Sequence, residues 1–333
     1  MIDLKSGKIL VTGGAGFIGS ALVWELNQRG IDNILITDYL GNSEKWRNLV
    51  SLKYNDYLEA DAFLGWLQGN PSDFDDVKVI FHLGACSSTT EKDASYLVRN
   101  NYEYTRLLAL WAADKDIRFV YASSAATYGE GEQGMDDHMP NISDLKPLNM
   151  YGYSKQMFDL FAQKNGFLDK IVGLKFFNVY GPNEDHKDDM RSLVNKAFSQ
   201  IQETGKVKLF KSHKKEYADG EQLRDFLYVK DAVKMAIHLA ENEFANGIYN
   251  LGSGKSNSWI TLATAIFSAL GKKPNIEFID MPEAIREKYQ YFTEANTSKL
   301  KSTGYDQKLF TLQEAVADYV KKYLLHDSRL GND

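Results

Sequence analysis

Ile9-Leu10-Val11-Thr12-Gly13-Gly14-Ala15-Gly16-Phe17-Ile18-Gly19-Ser20 is an apolar run that ends in glycines spaced three apart. Glycine is needed where a chain turns sharply after a strand, and where a pyrophosphate must approach backbone amides without a Cβ in the way. The amphipathic stretch Ser20–Arg29 predicts a helix whose positive end would face those phosphates. The turn alone is a weak signal, with a tight structural turn as the alternative. Strand, turn and helix in that order describe the start of a dinucleotide fold, and make Gly13, Gly16 and Gly19 candidate cofactor residues.

Outward from this point, short apolar runs alternate with longer amphipathic ones, as parallel βαβ units do. Strands are expected at Lys8–Thr12, Asn33–Thr37, Val77–His82, Arg118–Ala122 and Ile171–Phe177. They are almost continuously apolar, which suits a sheet covered on both faces. A helix is expected over Asn100–Ala113, with Leu107, Leu108 and Trp111 toward the core. The fold class is therefore α/β, a Rossmann-type doubly wound parallel sheet. Beyond Pro182 come a polar segment (Asn183–Arg191), a helix near Ser192–Glu203, and a loop reaching Gly220. A strand turning into a helix follows over Asp225–Ala240, then a strand at Gly247–Leu251 and segments at Ser258–Leu270, Ile276–Ile279 and Leu312–Tyr323. This predicts a dinucleotide-binding lobe over 1–178, with 225–255 returning to it. A smaller mixed α/β substrate lobe would comprise 179–224 and 256–330.

With 333 residues the chain can bury a large core. Hydrophobic residues make up 44% and charged residues 25%, which excludes a disordered polymer. A net charge of −6 offers no reason to invoke nucleic acid or an anionic membrane, and the basic run Lys211–Lys215 reads as a solvated loop. Cys86 is the only cysteine, so no internal disulfide or thiolate zinc site can form, and no metal is expected. Cys86 itself reads as a small buried residue rather than a nucleophile. The N-terminus runs straight into the first strand without a signal-peptide pattern, and no apolar run approaches the ~18 residues of a membrane span. A cytoplasmic protein is expected.

Asp38 closes the second strand about twenty residues beyond the glycines, where an acid would bind a ribose hydroxyl. Alone it favours NAD, but Lys45 and Arg47 follow and could neutralise a 2′-phosphate, which leaves NAD and NADP both open. Downstream, Tyr151-Gly152-Tyr153-Ser154-Lys155 puts a phenol and an ammonium one helical turn apart. A phenol of ordinary pKa ~10 is a poor base at pH 7. A neighbouring ammonium, together with a positive nicotinamide ring, would lower that value. Ser124 ends the strand before it and can hydrogen-bond an oxygen that becomes a carbonyl. Tyr153 is expected on another face of the helix.

These residues resemble the extended short-chain dehydrogenase/reductase superfamily over nearly the whole chain. Within it they are similar to the ADP-L-glycero-D-manno-heptose 6-epimerase family of the NAD-dependent epimerases. The likeness is carried by Thr12–Ser20, Gly84–Glu91 (GACSSTTE), Tyr121–Gly129 (YASSAATYG), Leu148–Lys155 (LNMYGYSK), Phe176–Pro182 (FFNVYGP), His186-Lys187, Arg224-Asp225-Phe226 and Tyr289–Thr293 (YQYFT). The resemblance implies inversion of C6″ of an ADP-heptose through a transient ketone, in the supply of lipopolysaccharide inner-core heptose, by a homo-oligomer. It implies NADP held through Phe17, Ile18, Asp38, Tyr39, Lys45, Leu83, Gly84, Ala85, Cys86, Ser87, Asn100, Lys155 and Val179. Substrate contacts are implied at Ser124, Asn178, Phe210, Arg224 and Tyr289, and catalysis at Ser124, Tyr151, Lys155 and Lys187. Lys187 would handle a proton on the face opposite Tyr151. Asp189, Lys196, Ala60 and the long loop 211–223 depart from the family pattern. Rival readings are a 4-epimerase or a dehydratase on the same scaffold, or a non-catalytic Rossmann protein that senses dinucleotide. Ala125-Ala126 after Ser124, where dehydratases carry an acidic pair, argue against elimination chemistry.

Overall fold

The strand that opens the glycine motif lies inside the central sheet, paired on both edges. The computed structural model describes residues 1–138, 141–286 and 289–332. Its strands, in chain order, begin with β1 (Lys8–Thr12), β2 (Ile34–Asp38), β3 (Asp56–Glu59), β4 (Val77–His82), β5 (Arg118–Ser124) and β6 (Val172–Phe176). They continue with β7 (Asn178–Tyr180), β8 (Val207–Phe210), β9 (Leu223–Tyr228), β10 (Gly247–Leu251), β11 (Ser256–Ser258) and β12 (Ile276–Ile279). The seven-stranded sheet has the order β3-β2-β1-β4-β5-β6-β10. Every pair in it is parallel, with Leu10 of β1 opposite Leu35 of β2 on one side and Ile80 of β4 on the other. This is the doubly wound α/β architecture, and its strand order reverses between β1 and β4, where a crevice opens at the carboxyl ends.

The sheet holds together because its strands bury nearly everything they carry. All residues of β2, β6 and β10 are buried. Each such aliphatic side chain contributes about 2 kcal/mol by leaving water. The helix Phe17–Gln28 buries Ala21, Leu22, Val23 and Leu26 on one face of the sheet, against the helix Val229–Glu241. Leu108 and Ala112 cover the other face together with Phe158 and Ala162. Five buried polar residues of these strands sit at carboxyl ends: Thr12, Asp38, His82, Ser123 and Ser124, while buried Arg118 opens β5 at its amino end. The carboxyl ends are where the crevice lies.

Several elements differ from the expectations. The first helix starts at Phe17 rather than Ser20, since its first turn is built from the glycine motif itself. β3 and the helix Ala60–Gly69 carry too mixed a pattern to show in the sequence. The expected Asn100 helix is one helical run from Ala94 to Asp114 that contains a π turn over Val98–Glu103. Its Leu107 and Trp111 are only partly buried beside the fully buried Leu108. The later residues build two small sheets, β11-β9-β7 and β12-β8, while β10 returns to the edge of the main sheet. No helix among the described residues is long and apolar enough to cross a membrane.

Candidate active site

Gly13, Gly16, Phe17, Ile18 and Gly19 line a cleft of about 810 Å3 at the carboxyl ends of β1, β4 and β5. A Cβ on Gly19 would run into the Gly13 carbonyl, so only glycine lets the helix start this close to the strand. A Cβ on Gly16 would meet only the Gly13 carbonyl at 3.1 Å and Asp38 at 4.0 Å, and would occupy cleft space. A dinucleotide pyrophosphate fits this wall of bare backbone at a helix N-terminus.

Asp38 also lines the cleft, but its carboxylate is already occupied. Oδ2 accepts the Ala15 and Gly16 amides at 3.0 and 3.1 Å. Oδ1 accepts the Tyr39 amide and the Lys45 ammonium, both at 2.7 Å. Tyr39 contributes that amide while its ring lies outside the cleft, 44% exposed, with its hydroxyl on Asp61. The opposite wall is Leu83, Gly84, Ala85, Cys86 and Ser87, with Val179 nearby. Cys86 is half-buried at the surface of the cleft rather than in the core. Asn100 does not line the cleft; its amide donates to the Tyr96 carbonyl of its own helix at 2.9 Å. Asn101 is the residue that grips this wall, exchanging two 2.9 Å hydrogen bonds with the Cys86 backbone and donating a third to Ser154. A π turn inserts an extra residue into the helix repeat, and no sequence pattern reveals which of two adjacent asparagines then faces inward.

Ser124, Tyr151, Lys155 and Lys187 all face the same cleft. The helix Met150–Lys164 begins beside Ser124 because Asn149 caps it, its side chain accepting the Gly152 amide at 2.8 Å. Ser124 hydrogen-bonds Tyr151 and accepts the Ala126 amide at 3.1 Å. Burial pushes the Tyr151 phenol up, and the Ser124 hydrogen bond pulls against this. The expectation that Lys155 draws it down is not met in the protein alone. Lys155 turns its ammonium to the Ala122 carbonyl at 2.9 Å, satisfying the β5 backbone rather than the phenol. Burial pulls Lys155 down to about 8, with Asp159 opposing. Tyr153 points away, 49% exposed, as its spacing requires.

Lys187 reaches the cleft from the far side, on a short helical segment over Asp185–Met190. Its ammonium lies 5.3 Å from the Phe17 ring. Burial lowers its pKa while Glu184 holds it up. The segment is pinned at its base: buried Asn183 donates to Ser20 at 2.9 Å and accepts the Leu330 amide at 3.0 Å. Asn48 adds hydrogen bonds to the Ala15 and Asn183 carbonyls at 3.0 and 3.1 Å. Asn48, Asn101 and Asn183 were not singled out in the sequence, because a polar side chain that fixes a loop leaves no local pattern.

A second cavity, of about 640 Å3, adjoins the first through Asn178, Val179 and Met190. Phe210, Trp259 and Tyr289 line it with Arg191, Lys196 and Lys208, and no carboxylate is among its described lining residues. Arg224 is buried beneath it, its guanidinium 5.1 Å from the Tyr289 ring and 5.8 Å from Trp259. That guanidinium donates to the Leu223 carbonyl at 2.8 Å. Burial pulls Arg224 below its usual value. Among the described residues no ion pair neutralises it. Asn178 is steadied by Thr293, whose hydroxyl donates to it at 3.2 Å. Of the departures from the family pattern, Lys196 faces this cavity and Asp189 is exposed, its carbonyl accepting the Lys196 ammonium at 3.2 Å. Ala60 is buried at a helix start away from both cavities. In the loop after β8, Lys211 and Lys214 pair with Asp280 and Glu130, and Tyr217 packs 5.3 Å from Tyr291.

The arrangement can bind a dinucleotide in one cavity and an anionic ligand in the next, with a serine, a phenol and two amines lining the first. The model of the NAD dependent epimerase/dehydratase family matches residues 9–252. The ADP-L-glycero-D-manno-heptose-6-epimerase of Nitratidesulfovibrio vulgaris (strain Hildenborough) is 51% identical over 315 residues, covering 95% of this chain and 97% of that one. The protein of the same name from Fusobacterium nucleatum is 47% identical over 326 residues, covering 95% and 98%. The crystal structure of the Helicobacter pylori ADP-L-glycero-D-manno-heptose-6-epimerase superposes with a TM-score of 0.78 at 27% identity, covering 97% of this chain and 98% of that one. The chain belongs to the NAD dependent epimerase/dehydratase family.

Proposed function

We propose that this enzyme inverts C6″ of ADP-D-glycero-β-D-manno-heptose, giving ADP-L-glycero-β-D-manno-heptose through a transient 6″-keto sugar. The observation that carries this reading is the meeting of Ser124, Tyr151 and Lys187 in the cleft that adjoins a cationic, aromatic-lined cavity. The names borne by the curated relatives support the choice of substrate. The product would feed the heptose supply of a lipopolysaccharide inner core, which suits a cytoplasmic homo-oligomer.

The C6″ hydrogen is not acidified by any adjacent carbonyl, so direct proton removal is excluded by chemistry. A bound nicotinamide supplies the acceptance and return of hydride that inversion at such a carbon requires. The chain's own residues do the rest. Tyr151 exchanges the hydroxyl proton on one face of the sugar, and Ser124 hydrogen-bonds the same oxygen. Lys187 exchanges the proton on the other face. Lys155 braces the wall beside Tyr151 through the Ala122 carbonyl. Arg224, stacked under Tyr289, pairs with the diphosphate, and Phe210 and Asn178 border the sugar nucleotide. In this reading 1–178 with 225–255 form the nucleotide lobe, and 179–224 with 256–330 the substrate lobe.

NADP is the cofactor of this proposal. Lys45 already neutralises Asp38, which removes the repulsion a free carboxylate would offer to a 2′-phosphate and leaves a cation at that position. Denaturing the purified protein and testing the released dinucleotide for a 2′-phosphate checks this point. The reaction is tested by incubating the protein with ADP-D-glycero-D-manno-heptose and following C6″ by NMR. Retained configuration refutes the assignment, and solvent deuterium at C6″ refutes the internal return of hydride.

A further inference from the structure

Beneath Ser124 and Lys155 lies a buried ionic cluster that the reaction as described does not use. The Lys175 ammonium of β6 lies 2.6 Å from Asp159 Oδ2 and 2.6 Å from the Thr127 hydroxyl, and 5.2 Å from the Tyr128 ring. Ser123 donates to Asp159 Oδ2 at 2.8 Å and Tyr121 to Oδ1 at 2.9 Å. The two charged side chains are 3% and 0% exposed. Stability alone does not account for such a pair, because well-packed apolar residues of similar volume commonly do as well or better. Its position is more informative. Asp159 follows Lys155 by one turn on the same helix face, and Ser123 immediately precedes Ser124.

We propose that Asp159 is a positioning residue for the reaction: it ties the end of β5 that carries Ser124 to the helix that carries Lys155, and sets a carboxylate one helical turn beyond the Lys155 ammonium. The inference rests on the roles given above to Ser124, Tyr151 and Lys155. The titratable groups facing Lys155 are Tyr151 and Asp159 from its own helix, His82 from β4, Cys86 from the loop after β4, and, through Asp159, Tyr121 and Lys175. Burial holds His82 down to about 3 and pushes the Cys86 thiol up, so both are neutral near pH 7. Tyr151 and Tyr121 are pushed up and neutral as well. Asp159, ion-paired with Lys175 at 2.6 Å, is the carboxylate in this group, and it opposes the pull of burial on Lys155.

The test is the pH dependence of kcat/KM for the holoenzyme. Removing the negative charge lowers the pH at which Lys155 loses its proton, so Asp159→Asn should move the alkaline limb toward acid by about one unit. Asp159→Glu should return the limb most of the way. Tyr121→Phe, which removes a hydrogen bond and leaves the charge, should lower the rate without moving the limb. An unmoved limb in folded Asp159→Asn overturns the inference. If that variant does not fold, Asp159→Asn combined with Lys175→Met removes both ions, and a limb no more acid than that of Lys175→Met alone overturns it equally. Lys155→Met with wild-type turnover would overturn the reading of the site and this inference with it. An unmoved limb beside an inactive Lys155→Met overturns the inference alone.

Discussion

The two adjoining cavities treat charge in opposite ways. In the glycine-lined cleft the charged group nearest the helix N-terminus, Asp38, is saturated by three backbone amides and the Lys45 ammonium. Beneath the second cavity the buried guanidinium of Arg224 has a carbonyl and two aromatic rings for company and, among the described residues, no carboxylate. Burying an uncompensated cation costs several kcal/mol unless a ligand supplies the missing charge. The first cavity is thus complete in its shape, set by backbone and by glycines. The second lies over a buried cation whose missing charge an anionic ligand would supply.

The largest expected effect removes the phenol of the glycine-lined cleft. Tyr151→Phe should lower kcat by about 10³, the middle of the range for a lost general acid–base, with substrate affinity little changed. Near-wild-type turnover would break the assignment.

Arg224→Met sharpens the contrast directly. Loss of a charge-assisted contact to the diphosphate should raise KM about ten- to a hundredfold, equivalent to roughly 1.5–3 kcal/mol. The melting temperature should hold or rise, because the variant no longer buries an unneutralised cation. A lower melting temperature with unchanged KM would make Arg224 a structural residue and erase the difference between the cavities.

The nucleotide side should also be the acid-sensitive side. His82 sits under the glycine turn between Thr12 and Thr105, at 2.7 and 2.8 Å, and burial pulls it down to about 3. His186, beside Lys45 and Lys187, is pulled down to about 4 by burial first. Both pKa values are lower folded than unfolded, so between about 3 and 6.5 the unfolded chain binds more protons and stability falls as pH falls. For His82 the loss at pH 5 is about 2 kcal/mol. Thermal unfolding from pH 7 to 5 measures it, and His82→Gln should flatten the slope.

Lys45→Ala gives the smallest effect. It should weaken NADP binding about tenfold and NAD much less, since only NADP offers a 2′-phosphate to the ammonium. Equal weakening of both would mean that Lys45 merely holds Asp38.

Much of the proposed catalytic constellation could be read before folding was considered. The glycine turn, Ser124, and the four-residue spacing of Tyr151 and Lys155 are local patterns, and the chain delivers them to one cleft. Lys187 needed the resemblance, since a lysine in a polar loop has no signature of its own. Asn101 escaped notice because a π turn changed which asparagine faces the wall. β3 and β8 escaped because each is only four residues long, too short for a period-two pattern to stand out.

Periodicity and glycine spacing, which act between near neighbours, dictated that this chain forms a parallel sheet with a dinucleotide turn at its first strand. Charge states and the completion of each cavity were decided only in three dimensions. Whether Asp38 is free or saturated, whether Arg224 has a partner, and whether Asp159 meets Tyr121, Ser123 and Lys175 depend on groups that other elements bring in. Their energies follow burial and distance, which exist only once the chain has folded.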